Sequence, residues 1–207
     1  MIISYAITVC NEYEEIQRLI PLLYELHREE DEIVVLFDEK NGTANVWGYL
    51  RDLEEEDYIK LESKPFENHF ADWKNHLTSL CSGDYIFQID ADEYPSDALI
   101  DNIHQIITEN TDNEVYYVPR VNTVEGLTEE HISKWKWNVN EKGWVNWPDY
   151  QMRIWKNKPE ISWKNKVHEV LQGHQTFSAL PIMEELALYH PKEIKRQEKQ
   201  NKYYDTL

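Results

Sequence analysis

Apolar positions in the first half of the chain fall into two alternating patterns. Ile2 to Val9, rich in β-branched and aromatic residues, predicts a strand. Asn11-Glu12 follow, and then Ile16, Leu19, Ile20, Leu23 and Leu26 recur at helical spacing. Glu32-Ile33-Val34-Val35-Leu36-Phe37 is almost continuously apolar, as in a strand buried on both faces, and it ends at Asp38. A weaker helix pattern covers Thr43 to Leu53, a short third strand Tyr58 to Glu62, and another helix Phe70 to Leu80. Ser82-Gly83 stops that helix, and Asp84 to Asp90 makes the next strand. Pro95-Ser96 opens a helix through Ile107, with Leu99, Ile100, Ile103, Ile106 and Ile107 apolar and Ser96 placed to cap it.

Strand and helix in alternation predict an α/β fold, a mostly parallel sheet covered by helices on both faces. Such sheets bind ligands beyond the carboxyl ends of their strands, where Asn11-Glu12, Asp38 and Asp90-Ala91-Asp92 fall. From Glu114 the pattern changes. Glu114 to Val121 reads as one strand, after which the chain turns irregular, with short strands at Gln151 to Trp155, Glu160 to Trp163 and Glu185 to Tyr189. Lys192 to Tyr204 reads as a charged helix with little apolar face. With no repeat and no linker, residues 1–207 are expected to form one domain, with 1–113 as one half and a smaller second lobe in 114–207.

Composition narrows the class. Hydrophobic residues make up 41% of 207, a globular balance. No apolar run approaches the roughly 20 residues of a membrane span, and the N-terminus lacks a signal-peptide pattern. Cys10 and Cys81 form neither a zinc pattern nor a disulfide framework, so reduced thiols in the cytoplasm are expected. A net charge of −18 argues against non-specific binding to nucleic acid. That charge is uneven, since eight cations face four anions between His131 and Val170. The same stretch holds Trp135, Trp137, Trp144, Trp147, Trp155 and Trp163, which suggests a face for an anionic or ring-shaped partner. Most of these rings are expected in the core of the second lobe, with one or two exposed to stack on a sugar or base.

The chemistry concentrates in Asp90-Ala91-Asp92-Glu93, where a buried strand runs into three carboxylates among four residues. Carboxylates so close raise one another's pKa unless a cation is present. Hard oxygen ligands at a strand end, with room for water and phosphate, suit Mg2+ or Mn2+. An acidic turn capping the next helix is the bland alternative.

Several segments, in order, resemble the family 2 glycosyltransferases, which have the Rossmann-like GT-A fold. Ala6-Ile7-Thr8-Val9-Cys10-Asn11-Glu12 looks like the family's opening strand and nucleotide loop. Trp73-Lys74-Asn75, then Leu80-Cys81-Ser82-Gly83-Asp84-Tyr85-Ile86, resembles its "RN … a-x-GDyi" run, with lysine for arginine. Asp90-Ala91-Asp92-Glu93 matches the metal (DXD) motif. Gln151-Met152-Arg153-Ile154-Trp155 and Trp163-Lys164-Asn165-Lys166-Val167-His168-Glu169 resemble segments of a bacterial subgroup that includes lipopolysaccharide-core glucosyltransferase-like enzymes; Asn165 stands where glycine is usual. Leu188-Tyr189-His190, followed by Lys195, Arg196, Lys199 and Tyr203, fits that subgroup's ending.

The resemblance implies an inverting, metal-dependent hexosyl or pentosyl transfer from a nucleotide-sugar donor, UDP-linked by default, to a hydroxyl acceptor. It places the donor against Thr8, Val9, Asn11, Glu12, Asp38, Lys74, Asp90 and Arg153. Asp38 would accept a hydrogen bond from the base. Asp92, with Asp90 beside it, would meet Mn2+ or Mg2+, and His168 or His190 would complete the metal's shell or touch the diphosphate. The acceptor-side base is expected at Glu169, with Asp149 second. A glycan is the expected acceptor, ahead of a hydroxylated base in DNA; a non-catalytic GT-A domain that binds a sugar or a partner is the other alternative.

Overall fold

The structure, a computed structural model, describes residues 1–204, with side chains through residue 199; Tyr203's side chain and residues 205–207 lie outside the described residues. Along the chain, β1 (Ile3–Val9), α1 (Tyr13–Leu26), β2 (Glu32–Asp38), α2 (Ala44–Glu55) and β3 (Lys60–Lys64) come first. Then follow α3 (Phe70–Leu80), β4 (Tyr85–Asp90), β5 (Tyr94–Pro95), α4 (Asp97–Glu109), β6 (Val115–Val118), β7 (Arg120–Glu125) and α5 (Glu129–Trp135). The last part carries β8 (Gln151–Lys156), β9 (Ser162–Lys164), β10 (Val170–Gln172), β11 (Phe177–Ala179), a 3-10 turn at Glu184–Leu186, β12 (Leu188–Glu193) and α6 (Ile194–Tyr204).

The central sheet has seven strands in the order β11-β6-β8-β4-β1-β2-β3. Only β8 runs against its neighbours, pairing antiparallel with β4 and β6, so the sheet is mostly parallel as expected. Small sheets β5-β12-β7 and β10-β9 complete the molecule.

The period-2 alternation of the strands divides the core into two layers. Ile3, Tyr5, Ile7 and Val9 pack with Ile16, Leu19, Leu23, Leu99 and Ile103 of α1 and α4. Ala6, Val34, Leu36 and Ile86 face the other way, onto Ala71, Trp73 and Leu77 of α3. Each fully buried aliphatic side chain contributes about 1.5–3 kcal/mol. Ser96 caps α4 by accepting from the Leu99 amide at 3.1 Å. Gly83 lies so close to β1 that a Cβ there would meet Ser4 Oγ at 2.7 Å and the Ser4 amide nitrogen at 2.8 Å, which explains glycine between α3 and β4.

Three expectations are corrected. The strand expected over Glu114 to Val121 is two strands in two sheets, because Pro119 has no amide to continue a ladder. Of Glu185 to Tyr189, only the end is strand; Glu184–Leu186 is a 3-10 turn. The tryptophans do not share one core. Trp155 and Trp163 pack with α3 beneath the central sheet, Trp144 joins Val121 and Ala187 in a small cluster, and Trp135, Trp137 and Trp147 are only half-buried. Strands β8 and β9 return to the main body and carry their rings with them.

Candidate active site

Because β1, β2 and β4 are parallel and in register, with Thr8 beside Asp90 and Val9 beside Phe37, their carboxyl ends open on one edge of the sheet. The antiparallel β8 brings its own N-terminal end, Gln151 to Arg153, to the same edge. A cleft of about 940 Å³ lies there. Its lining includes Thr8, Val9, Asn11, Glu12, Asp38, Lys74, Asp90, Asp92, Arg153, His168, Glu169 and His190. Of the residues expected from sequence to bind donor or metal or to act as base, only Asp149 is not among those lining it.

On the β1–β2 side, buried Asp38 organises a loop. Its carboxylate accepts from the backbone amides of Lys40 (3.0 Å), Asn41 (3.3 Å) and Phe66 (3.1 Å) and from the Asn41 side chain (2.7 Å). Glu12 folds back over the end of β1, accepting from the amides of Cys10 (2.8 Å) and Asn11 (3.0 Å). Burial raises the Glu12 carboxyl's pKa in spite of these bonds. The Cys10 thiol is pushed up to about 12 by burial and by neighbouring Glu12 and Asp38, so it stays protonated at neutral pH.

The floor is a charge network. Arg153, 3% exposed, donates to Asp90 Oδ2 and Glu93 Oε1, both at 2.6 Å. Arg120 donates to the same Glu93 oxygen at 2.7 Å and holds Asp149 Oδ2 through two nitrogens at 2.7 and 2.9 Å. Burial alone would raise Asp90's pKa, but Arg153 and Lys74 outweigh it and hold the carboxyl well below the usual range. Glu93, the extra carboxylate of the motif, is thus the buried counter-ion that joins the two guanidiniums.

Asp149 is tied into this network on its far side. Besides Arg120, its Oδ2 accepts from Asn122 Nδ2 at 2.7 Å, which fixes the Asn122 amide with Oδ1 2.8 Å from His190 Nδ1. Nδ1 is then the protonated nitrogen, and Nε2 points at Asp92 Oδ2 at 3.3 Å. An imidazole oriented this way suits a cation between Nε2 and the carboxylate, as outer-shell partners orient metal-bound histidines elsewhere. Arg196 Nη2 lies 3.5 Å from the same Asp92 oxygen. Burial works against the Asp92 charge, but nearby His190 and Lys192 hold its pKa far below the ordinary value. Among the described residues no three His, Cys, Asp or Glu side chains converge into a metal shell. Asp92 and His190 supply two donors, which fits a Mg2+- or Mn2+-type ion that takes its other ligands from phosphate and water.

Opposite this pair stands Glu169. Lys74, a buried residue of α3, holds Glu169 Oε1 at 2.6 Å and lies 3.8 Å from Asp90. The next residue, Asn75, clamps β9 in both directions: its Nδ2 donates to the Trp163 carbonyl at 2.9 Å and its Oδ1 accepts from the Trp163 amide at 2.8 Å. Glu169 closes the five-residue turn between β9 and β10, in which Asn165 (φ 78°) and His168 (φ 52°) are left-handed. His168 sits exposed on the cleft wall.

Arg120, Asn122 and Lys192 were not singled out from sequence. Arg120 lies on a strand whose start the pattern merged with its predecessor, and Asn122 fell just past the expected end at Val121, so only the break at Pro119 could have marked them.

A family model described as glycosyl transferase family 2 matches residues 4–177. Among solved structures, S. aureus TarS 1-349 gives a TM-score of 0.62 at 14% identity, over 92% of this chain and 60% of that one. The same TarS fragment in complex with UDP-GlcNAc gives 0.60 at 13% identity, over 93% and 59%. At such identity the likeness is one of fold, and it is the GT-A fold. The chain spans about three fifths of that fragment. No curated protein sequence matches it.

Proposed function

The chain belongs to glycosyl transferase family 2, and from that footing we propose that it transfers a sugar from a nucleoside-diphosphate donor, with inversion, to a hydroxyl of a glycan. The observation that carries this reading is the convergence in one cleft of Asp92 and His190 with Glu169 and Lys74. Residues 1–113 would supply the donor half and 114–207 the acceptor half.

Asp92 and His190 would hold a divalent cation, Mn2+ or Mg2+, which when bound supplies positive charge to the departing diphosphate. The donor's base would lie along the Thr8–Asn11 edge beside Asp38, with Glu12 shaping the loop. Glu169 is the base in this reading: it takes the proton of the acceptor hydroxyl as that oxygen bonds the anomeric carbon and the bond to the diphosphate breaks. Supporting Glu169 over Asp149 are its place on the cleft wall and the saturation of Asp149 by Arg120 and Asn122. Asp149 would act as a positioning residue for His190. Lys74 fixes Glu169 and adds charge beside Asp90. Arg153, buried under Asp90, would shape the donor site from below. The likeness of residues 151–155 and 163–169 to lipopolysaccharide-core glucosyltransferase-like enzymes supports the glycan.

A thermal-shift panel of UDP, GDP and their sugars, with manganese or chelator, tests the donor side. The expected result is a manganese-dependent rise in Tm with one nucleotide, because a ligand bound only by the folded state stabilises it. Asp92→Asn should remove the manganese dependence while leaving the unliganded Tm within a few degrees. An unchanged manganese response in Asp92→Asn would sink the assignment.

A further inference from the structure

Of the cations lining the cleft among the described residues, Lys74, Arg120 and Arg153 are committed to carboxylates of the floor and wall at 2.6–2.9 Å. The other three, Lys192, Arg196 and Lys199, come from one continuous element, the end of β12 and the start of α6. Arg196 and Lys199, three residues apart, share a helix face, and Lys192 directly precedes them. Arg196 is spread over three carboxylates: Nη1 lies 2.5 Å from Glu15, and Nη2 lies 3.2 Å from Glu12 and 3.5 Å from Asp92.

The attachment of α6 suits exchange. None of its described residues is buried, and its ties to the body include the Arg196 pairs and a contact of 3.7 Å between Glu198 and His131. Arg196 divides its fork among three carboxylates, whereas a phosphate can take two parallel bonds from one guanidinium.

We propose that Lys192, Arg196 and Lys199 form a clamp for the donor's diphosphate, in which Arg196 leaves Glu12, Glu15 and Asp92 for phosphate oxygens as the donor binds. In the empty cleft the guanidinium neutralises Asp92, and in the loaded cleft Asp92 is released to the cation. This rests on the reading that the cleft takes a nucleoside diphosphate, and it assigns that ligand's charged part to three residues with no role in the scheme above.

NMR titration of the full chain with UDP and with uridine, in magnesium, separates the diphosphate's contribution from the nucleoside's. Arg196→Ala should weaken UDP about tenfold or more and leave uridine unchanged, with Lys199→Ala giving a smaller loss of the same kind. Unchanged UDP affinity in Arg196→Ala overturns the clamp. An equal loss for UDP and uridine also overturns it, since the helix would then serve the nucleoside or the fold. If the wild-type chain binds no UDP, the donor reading itself fails, a result distinct from either.

Discussion

At the scale of single residues, the carboxylates of the cleft and its floor are each set against a basic side chain. Asp90 has Arg153, Asp149 has Arg120, Glu169 has Lys74, and Asp92 has Arg196, with the His190 ring beside it. The pairs differ in what they leave available. Asp149 is bound on both oxygens, by Arg120 and Asn122 on one and Gln151 on the other, whereas Glu169 has one oxygen on Lys74 and faces the open space. Glu169→Gln keeps shape and the contact with Lys74 but cannot take a proton. The expected loss is about 10²–10³ in the rate of UDP release during transfer, with UDP affinity changed less than threefold. A full-rate variant would return the base assignment to Asp149. The carboxylates were legible from spacing because three in four residues need a cation. Their partners were not, since Arg120 and Asn122 lie far off in sequence and meet Glu93 and Asp149 only once the sheet is formed.

At the scale of elements, the turn between β9 and β10 shows how a residue can change while a conformation persists. Where family resemblance expects glycine, Asn165 takes the left-handed backbone that glycine would, and asparagine is among the few residues that do so at small cost. Asn165→Gly should therefore change stability by only a few tenths of a kcal/mol. Asn165→Val, β-branched at φ 78°, should cost about 1–2 kcal/mol in urea denaturation and displace Glu169. Helices with a clear apolar stripe were readable nearly to the residue, as at α3, where expectation and structure agree on Phe70–Leu80. Short strands were not. β10 and β11 have three residues each, too few for a period to show, and their pairing with β9 and β6 is a tertiary choice.

At the scale of the molecule, the excess negative charge is managed by placing carboxylates where strands meet loops. Glu32, at the start of β2, accepts from Ser4, Ser82 and Lys60 and so ties three neighbouring segments together. Burial alone would raise its pKa, but these bonds prevail and lower it from 4.5 to about 2. A depressed carboxyl stabilises the fold above its unfolded pKa, and that contribution fades as pH drops from 4.5 through 2. Glu32→Gln should lose about 2 kcal/mol at pH 7, and the difference from wild type should shrink steadily below pH 4.5 in denaturant titrations. A gap independent of pH would mean that Glu32 acts through shape alone.

The order of the central sheet also bears on how the chain folds as it is made. The free edge of β4 and both edges of β6 wait for strands that come later; Tyr85 of β4 pairs with Lys156 of β8, about 70 residues on. Until β8 leaves the ribosome, the β1–β4 half presents an unpaired, apolar strand edge of the kind on which chains aggregate. Closing β8 between β4 and β6 covers that edge and, in the same step, brings Arg153 to Asp90, so the sheet and the cleft would mature together.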